Sequence, residues 1–487
     1  MPESTKANMQ EIPIETFNAD EEKRLIRRID WHLMPLLTIT YGLQFMDKMC
    51  LAWSAILGMK EDLNLVGQEY SWSSSIFYVG FLAASYPISL GFVKFPLGRY
   101  LSLLVLAWGI ILTLHALTPN YPSLMILRTL LGVFESAITP GFSLITGMWY
   151  TPTEHVSRHT IWFAGNASSS IIGSLITYAI MHYTGSFPKW KLMFLIFGLV
   201  TVVWAGVLWF FLPDGPMEAR FLSRTEREYV ALRPKMFQRT TQTKTWEGRQ
   251  VVEAVGDVKV WWFCVFVFVI CVPNGGIGAF STLIINSMGY DKYQTILMAI
   301  PGQAFILTML LVSTLLTSTI RKARLVCIIL CFVLALTGIL MIKLVPETQK
   351  LTRLAGFWLV QCLAPSMPLL LALVAGNIAG FTKKSTTMAM VFVAYCVGNI
   401  VGPQFFKESE APSYHTAYTT IMICFAVTIA MAAIFRVYLQ WENHRRDKTQ
   451  GVSIDPEASR AVRLGVDDRI LAVDETDGRN KSFRYVV

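Results

Sequence analysis

Long apolar blocks separated by short polar stretches dominate this sequence. Examples are "LLVLAWGIILTLHAL" at 103–117 and "LMFLIFGLVTVVWAGVLWFFL" at 192–212. Because a membrane-spanning helix needs about 20 predominantly apolar residues, blocks of this length predict transmembrane helices rather than a soluble core. Each predicted span is bounded by charged residues, Pro or Gly, and the twelve spans are 33–56, 72–95, 101–118, 123–149, 160–182, 191–212, 261–286, 294–319, 325–345, 354–378, 385–406 and 417–439.

The predicted spans fall into two groups of six, because the widest polar gap lies between the sixth and the seventh. This pattern predicts an all-α polytopic membrane protein made of two six-helix halves. The expected regions are a cytoplasmic amino-terminal segment (1–30), an amino-terminal half (31–212), a cytoplasmic central loop (213–259), a carboxyl-terminal half (260–440) and a largely disordered cytoplasmic tail (441–487).

Composition and charge support this interpretation. Only 15% of the 487 residues are charged and 53% are hydrophobic, whereas about a quarter of a typical soluble protein is charged. The net charge of +9 comes from Lys and Arg in the loops beside the spans. These basic residues concentrate in the amino-terminal segment, the even-numbered gaps and the tail, which predicts that both termini are cytoplasmic. The location of the charge therefore does not indicate nucleic-acid binding.

Cysteine usage and the amino terminus add two further expectations. The eight cysteines lie in apolar stretches without zinc or redox spacing, so buried free thiols are expected and no metal or cofactor is predicted. The first residues are polar and acidic before they turn basic, which is not the pattern of a signal peptide.

Four charged residues interrupt the apolar spans of the first half. In "RTLLGVFESAITPG" (128–141), Arg128 and Glu135 lie two helical turns apart on nearly the same face. The first span adds Asp47 and Lys48 in "FMDKMC". Because each charge at the bilayer centre costs at least about 2.5–3.5 kcal/mol, we expect these four residues to pair between the two spans. The set is formally neutral, and it can be a fixed ion-pair clamp or a network that switches partners when a carboxylate takes up a proton.

Three polar residues of the second half are further site candidates. "PNGG" at 273–276 predicts an interruption of the seventh span, where Asn274 could bond a substrate, although a plain gating kink is an equal alternative. Tyr395 and Asn399 lie four residues apart on the eleventh span and share a face. They could contact a substrate or bond a neighbouring helix.

Several long motifs in order carry a family resemblance. They are "RTLLGVFESAITPG", "LPDGPMEARFLSRTER", "VPNGGIGAFSTLII", "GNIAGFTKKSTTMAMVFVAYCVGNIVGPQFF" and the ending "DETDGRNKSFRYVV". On these motifs, the chain from about residue 27 to its end resembles the fungal allantoate permease family, in the anion:cation symporter branch of the major facilitator superfamily. The resemblance implies the major facilitator fold, whose pseudo-symmetric halves alternate access to a central site.

The resemblance also implies roles for the buried charges. Asp47 and Glu135 would be the proton-coupling groups, Lys48 would contact the substrate carboxylate, and Arg128 would hold the network. The family usually has Arg at the position of Lys48. Because an ammonium lacks the two-pronged geometry of a guanidinium, this departure leaves room for a substrate other than the simple ureido acids.

The expected function is secondary active transport, by proton-coupled symport of a small organic anion such as allantoate, another ureido acid or a vitamin acid. The alternatives are an exporter or importer of a specialised metabolite from a biosynthetic gene cluster and, less favoured, a non-transporting nutrient sensor. An enzyme is not expected, because the chain lacks nucleophile-elbow, zinc-protease and phosphate-loop motifs. The expected partners are the organic anion, protons and the lipid bilayer. We expect a monomer in the plasma membrane, with the vacuole or endoplasmic reticulum as alternatives.

Overall fold

The computed structural model describes residues 18–238, 246–320, 323–450, 476–480 and 483–486. Residues 1–17, 239–245 and 451–475, which belong to the predicted amino-terminal segment, central loop and tail, lie outside these ranges. All regular structure in the described ranges is helical. The first half contains α1 (Ala19–Ile56), α2 (Met59–Asp62), α3 (Glu69–Lys94), α4 (Leu97–Leu114), α5 (Tyr121–Glu135), α6 (Ile138–Trp149), α7 (Pro152–Met181) and α8 (Lys189–Phe211).

The rest of the chain is also helical where it is described. The predicted central loop contains α9 (Arg224–Gln238) and α10 (Gly248–Gly256). The second half contains α11 (Val258–Ser287), α12 (Lys292–Thr319), α13 (Arg324–Leu344), α14 (Lys350–Val360), α15 (Ser366–Asn377), α16 (Phe381–Val401) and α17 (His415–Gln450). Short 3-10 helices cover His115–Leu117, Pro216–Glu218, Gln361–Leu363, Gly402–Phe405 and Glu408–Glu410.

Ten helical segments in the described ranges are long and apolar enough to cross a membrane. The helices α1 and α7 are not among the ten, since α1 has a charged start and carries the intramembrane Asp47 and Lys48, and α7 contains the polar run "GNASSS". These two helices pack against each other closely enough that a Cβ at Gly165 would lie 2.5 Å from the Thr38 carbonyl oxygen. The count of twelve spans and the orientation of the termini stay predictions.

Two helices of the first half meet backbone to backbone. A Cβ added at Gly132 of α5 would lie 2.0 Å from the carbonyl oxygen of Phe77 on α3. A Cβ at Gly80 of α3 would lie 2.2 Å from the carbonyl oxygen of Thr129. Small residues at such crossings let two helices approach without intervening side chains. This contact fixes the distance between α3 and the charged residues of α5.

Helix breaks occur at other places than the sequence suggested. The predicted span 123–149 is two helices, because α5 ends at Glu135 and α6 begins at Ile138. Pro140 has no N–H to donate to the carbonyl of Ser136, four residues earlier, which accounts for a break at this point. The break places the Glu135 carboxyl group at the end of a helix in the middle of the span.

The interruption predicted at "PNGG" is wrong, because α11 runs without a break from Val258 to Ser287 with Pro273 inside it. Neighbouring helices can accommodate the missing hydrogen bond without ending the helix. A Cβ at Gly402 would lie 2.2 Å from the carbonyl oxygen of Val272, so the two backbones are in contact here. The glycines therefore let α11 pack closely against α16 and its 3-10 extension.

The two halves are joined at one end of the bundle, which we call the distal end. It is the end at which α1 finishes and α3 begins, and the opposite end, where α1 and α11 begin, is called the proximal end. Tyr70 donates to the Ala279 carbonyl at 2.7 Å, and Ser75 donates to the Ile400 carbonyl at 2.6 Å. An ion pair between Lys60 and Glu408 at 3.5 Å adds to this seal.

Candidate functional site

The four intramembrane charges lie together, as the neutral set predicted. The Nζ atom of Lys48 is 3.9 Å from the Oε2 atom of Glu135, which joins α1 to α5. Asp47 lies beside both Glu135 and Arg128. Asp47, Arg128 and Glu135 are buried, whereas 23% of the Lys48 side chain is exposed. The only member of this set that is open to a ligand is therefore a cation.

Backbone and aromatic groups hold the cations of this set in place. Arg128 donates from Nε to the Ser73 carbonyl on α3 at 3.1 Å. The ring of Phe77 lies near both cations, with its centroid 5.4 Å from the Lys48 ammonium and 5.6 Å from the Arg128 guanidinium. Such cation–π contacts stabilise a charge that has lost its water. Arg128 is thus fixed to α3, while Lys48 keeps one side free.

Several residues of this candidate site were not predicted from the sequence. Gln44 donates to the Glu135 carbonyl at 3.2 Å and lies about one turn before Asp47 and Lys48 on the same helix. That spacing could have identified Gln44 as a candidate. Ser73 and Phe77 have no such signal, because the second span carries no charge in its apolar middle and only the close packing of α3 on α5 brings them in.

Hydrogen bonding in the charge set is incomplete. Among the described residues, no hydrogen-bond partner is found for either carboxylate oxygen of Asp47 or of Glu135, or for one terminal nitrogen of Arg128. A buried polar group without a partner costs about 1–3 kcal/mol, and more when it is charged. These carboxylate oxygens can accept a hydrogen bond or take up a proton.

The polar residues of the second half form a short chain of hydrogen bonds. Asn274 donates from its amide to the side-chain oxygen of Asn399 at 2.9 Å, and Asn399 donates to the Tyr395 carbonyl at 2.8 Å. Asn399 is fully buried, whereas Asn274 is exposed. Both ends of the Asn399 amide are thus engaged inside the protein, and the exposed amide is that of Asn274.

Asn274 and Tyr395 face the first half. Gly278 lies one turn after Asn274 on α11, and a Cβ there would lie 4.0 Å from the Cε atom of Met49 on α1. The ring of Tyr395 is 6.1 Å from that of Tyr78 on α3, centroid to centroid. The candidates of the two halves therefore face each other at the interface between the halves, although their roles stay predictions.

Metal ligands do not cluster in the described ranges, where no group of three or more His, Cys, Asp or Glu side chains is placed to hold an ion. All eight cysteines are free, and all but Cys424 are buried. What the candidate site offers chemically is charge pairing, proton uptake on carboxylates and hydrogen bonding to a small polar ligand.

Comparison with known proteins places this arrangement in a family. Residues 37–403 match the Major Facilitator Superfamily. The chain is 35% identical over 470 residues to an uncharacterized transporter of Schizosaccharomyces pombe, covering 96% of this chain and 88% of that protein. It is 33% identical over 485 residues to the allantoate permease of Saccharomyces cerevisiae, covering 96% of this chain and 87% of the permease.

A solved structure confirms the fold. The proton:xylose symporter of the major facilitator superfamily, bound to 6-bromo-6-deoxy-D-glucose, superposes with a TM-score of 0.64 at 13% identity, covering 85% of this chain and 96% of the symporter. The predicted all-α fold of a multi-pass membrane protein is confirmed. The expectation of a transporter rather than an enzyme is also confirmed, because the relatives are transporters. The chain belongs to the allantoate permease family of the major facilitator superfamily.

Proposed function

We propose that this transporter is a proton-coupled symporter that carries a small organic anion by alternating access. The substrate class is allantoate, another ureido acid, a vitamin acid or a similar carboxylate, and the membrane is the plasma membrane. The observation that carries the proposal is the pair Lys48–Glu135, in which the cation is partly exposed and the carboxylate is fully buried. The name of the allantoate permease and the proton coupling of the xylose symporter support the two parts of the proposal.

Coupling follows from competition for Lys48. While Glu135 is ionised, its carboxylate is the counter-ion that attracts the Lys48 ammonium. When a proton neutralises Glu135, Lys48 loses that partner and can pair with the carboxylate of an arriving anion. Asp47 stands beside Glu135, which places a second carboxylate next to the one that pairs with Lys48. Proton and anion therefore bind together, which is the requirement for symport.

The remaining candidates orient the anion. Arg128 is anchored to the Ser73 carbonyl and serves as a fixed positive charge that keeps the protonated set neutral overall when the anion is bound. Asn274 is exposed and can donate to or accept from a ureido or amide group, and the Tyr395 hydroxyl can do the same. Asn399 holds the Asn274 amide in one orientation.

Access to this site changes when the halves rock against each other. The distal end is closed by the bonds of Tyr70, Ser75 and Lys60 to the second half. Opening of the distal end requires that these bonds break, and the loss of the Lys48–Glu135 pair on substrate binding gives a reason for α1 to shift against α5. Closure of the distal end favours exchange of the substrate through the proximal end.

The test is uptake in yeast cells that lack their own related permeases. Labelled allantoate, ureidosuccinate, nicotinate and pantothenate would be supplied at pH 5 and pH 7, with and without an uncoupler. The variants are Glu135→Gln and Asp47→Asn, and Glu61→Gln is the matched control because Glu61 is exposed. We expect uptake that is faster at pH 5, sensitive to the uncoupler, abolished by the two buried substitutions and unchanged by the control.

Two results would contradict the proposal. If both buried substitutions leave uptake and its pH dependence intact, the charge set is a structural clamp. If the wild-type protein reaches the surface and transports none of the four acids, nutrient import is the wrong function, and export of a specialised metabolite becomes the next hypothesis to test.

A further inference from the structure

The end of the chain is packed into the protein. The described tail residues, 476–480 and 483–486, lie at the proximal end of the second half, against α10, α11, α16 and α17. Asp477 is fully buried and 3% of Tyr485 is exposed. These described residues are therefore packed against helices, whereas the sequence predicts a largely disordered tail.

A buried ion cluster fixes Asp477. Its Oδ1 atom lies 2.9 Å from the Nζ atom of Lys383, and its Oδ2 atom accepts a hydrogen bond from Lys259. The Tyr485 hydroxyl accepts from Lys259 at 2.6 Å. Burial alone would raise the pKa of Asp477, but the charges of Lys259 and Lys383 outweigh it and hold the pKa below its ordinary value. The carboxylate is therefore ionised throughout the cellular pH range.

Residues outside the tail complete the partners of Lys383. Its ammonium also contacts Asp257 at 2.7 Å and Glu253 at 3.1 Å, and only 1% of its side chain is exposed. Lys383 therefore joins α10, α16 and the tail.

Backbone recognition sets the position of the tail. The side-chain amide of Asn377 binds both backbone polar groups of Val486, at 2.7 and 3.0 Å. The amide of Asn443 binds those of Tyr485 in the same way, at 2.8 and 2.9 Å. Because each amide both donates and accepts, it satisfies the backbone N–H and the backbone carbonyl of its partner residue. Arg446 adds bonds to the Asp477 and Phe483 carbonyls at 3.2 and 3.0 Å.

These contacts surround the break between α15 and α16. Asn377 is the last residue of α15, and the Ala379 amide donates to Asp477 at 3.4 Å. Gly380 has a φ of 90°, a conformation that favours glycine. The tail thus supplies hydrogen-bond partners to the backbone from which α16 starts. The helix α16 carries Tyr395 and Asn399.

We propose that the described tail residues, 476–480 and 483–486, form a permanently docked element, the carboxyl-terminal clasp, that positions the start of α16 and through it the substrate-facing residues of this helix. Asp477 and Asn377 act as positioning residues. The docking part of this inference stands on the contacts alone, while the effect on substrate binding rests on the proposed function.

Docking is tested by a disulfide. A Cβ at Gly376 would lie 3.7 Å from the Cβ of Val486, within the range of about 3.5–4.5 Å found in disulfides. The double variant Gly376→Cys/Val486→Cys would be prepared with a protease site inserted within 451–475, so that only a cross-link keeps the fragment attached on a non-reducing gel. The controls are each single variant and the mismatched pair Gly376→Cys/Arg479→Cys.

We expect the matched pair to cross-link in membranes under mild oxidant and the controls not to. Uptake by the cross-linked protein should stay within about twofold of the reduced protein, because the clasp does not move relative to the second half in a rigid-body rocking cycle. Absence of the cross-link would overturn docking. Cross-linking that abolishes uptake, with recovery on reduction, would show a latch that must open and would overturn the permanent clasp.

Positioning is tested by kinetics. Asp477→Asn and Asn377→Ala should each raise KM by about tenfold at equal surface amount, since a displacement of about 1 Å in a site is costly. Uncoupler sensitivity should remain, Asp477→Glu should recover part of the affinity, and the exposed control Glu218→Gln should have no effect.

An unchanged KM in a protein whose clasp cross-links would overturn the positioning role. Loss of uptake by the wild type itself would fault the proposed function instead, and leave the cross-link result valid.

Discussion

Two buried charge sets in this protein have similar composition and opposite states of pairing. The first, in the first half, holds Asp47, Lys48, Arg128 and Glu135. Its one ion pair, between Lys48 and Glu135, is 3.9 Å long, and its carboxylate oxygens lack hydrogen-bond partners among the described residues. The second lies at the proximal end of the second half and is made of Asp257, Lys259, Lys383 and Asp477. Its contacts include Lys383 to Asp257 at 2.7 Å and to Asp477 at 2.9 Å.

The state of pairing distinguishes a charge set that can exchange partners during transport from one that stabilises the fold. Breaking a buried, fully paired set is strongly destabilising, because each remaining charge loses its compensation. A charge set whose carboxylate oxygens lack hydrogen-bond partners loses less stability when one ion pair is exchanged for another. We therefore expect substitutions in the first set to act chiefly on transport and those in the second to lower stability, in addition to the effect of Asp477 on KM that follows from the clasp, and three predictions test this difference.

The largest effect is expected for Lys48→Met. Removing this partly exposed cation takes away the proposed anion contact and should lower kcat/KM for the transported acid by about a hundredfold, which corresponds to about 2.7 kcal/mol. The thermal unfolding temperature in detergent should change little. The measurement is initial uptake over a range of substrate concentrations, normalised to surface amount.

Lys48→Arg is the control for this prediction. It retains the charge and restores the residue that is usual in the family, so uptake should persist with an altered preference among the acids. If Lys48→Met transports as well as Lys48→Arg, the cation has no direct part in transport and the comparison between the two sets fails.

The next effect is on stability, through Lys383→Met. This substitution leaves three carboxylates, on Glu253, Asp257 and Asp477, with one cation fewer, and should reduce the free energy of unfolding by about 3 kcal/mol. A fall in the unfolding temperature by several degrees would show it. The ratio of uptake at pH 5 to uptake at pH 7 should stay that of the wild type for the molecules that remain folded.

Lys384→Met is the neighbouring control, because its ammonium binds only the Ala375 carbonyl among the described residues and is exposed to solvent. Equal unfolding temperatures for the two variants would show that the ion cluster contributes nothing beyond a single surface lysine.

The smallest effect concerns pH and the clasp. Because the folded-state pKa of Asp477 is below its ordinary value, its contribution to stability is present above the unfolded pKa of about 3.9 and is lost as pH falls through the folded value. The difference in unfolding temperature between wild type and Asp477→Asn should therefore be the same at pH 5 and pH 7. Uptake, in contrast, should change between these two values. A difference in stability that disappears between pH 7 and pH 5 would contradict this assignment of the charge on Asp477.

Much of the fold followed from the sequence because membrane helices are long and locally encoded. The apolar blocks predicted the helices, and four charges that sum to zero predicted one cluster. Helix breaks were predicted less well. A proline was expected to break α11 at Pro273, where packing against α16 keeps the helix continuous, and Pro140 marks a break that was not expected. The sequence shows that a proline removes one helical hydrogen bond. Whether the helix then breaks depends on the helix that packs against it.

The clustering of the four charges was predicted from the sequence, whereas the neutral residues that surround them in the first half were not. Burial of a charge has a large cost, so Asp47 and Glu135 were conspicuous in an apolar span. Phe77 and Ser73 are ordinary residues for a membrane helix, and they reach Lys48 and Arg128 only because α3 and α5 cross at two glycines.

The sequence by itself determined the membrane helices, the family and the presence of a neutral set of buried charges, because hydrophobicity and charge act through each residue's own transfer free energy. Only the tertiary structure decided which charges are satisfied. Whether Glu135 has a hydrogen-bond partner, and whether Asp477 docks beside Lys383, depends on distances of a few ångströms between segments that are far apart in the chain. Lys48 and Glu135 are separated by 87 residues, and Lys383 and Asp477 by 94 residues.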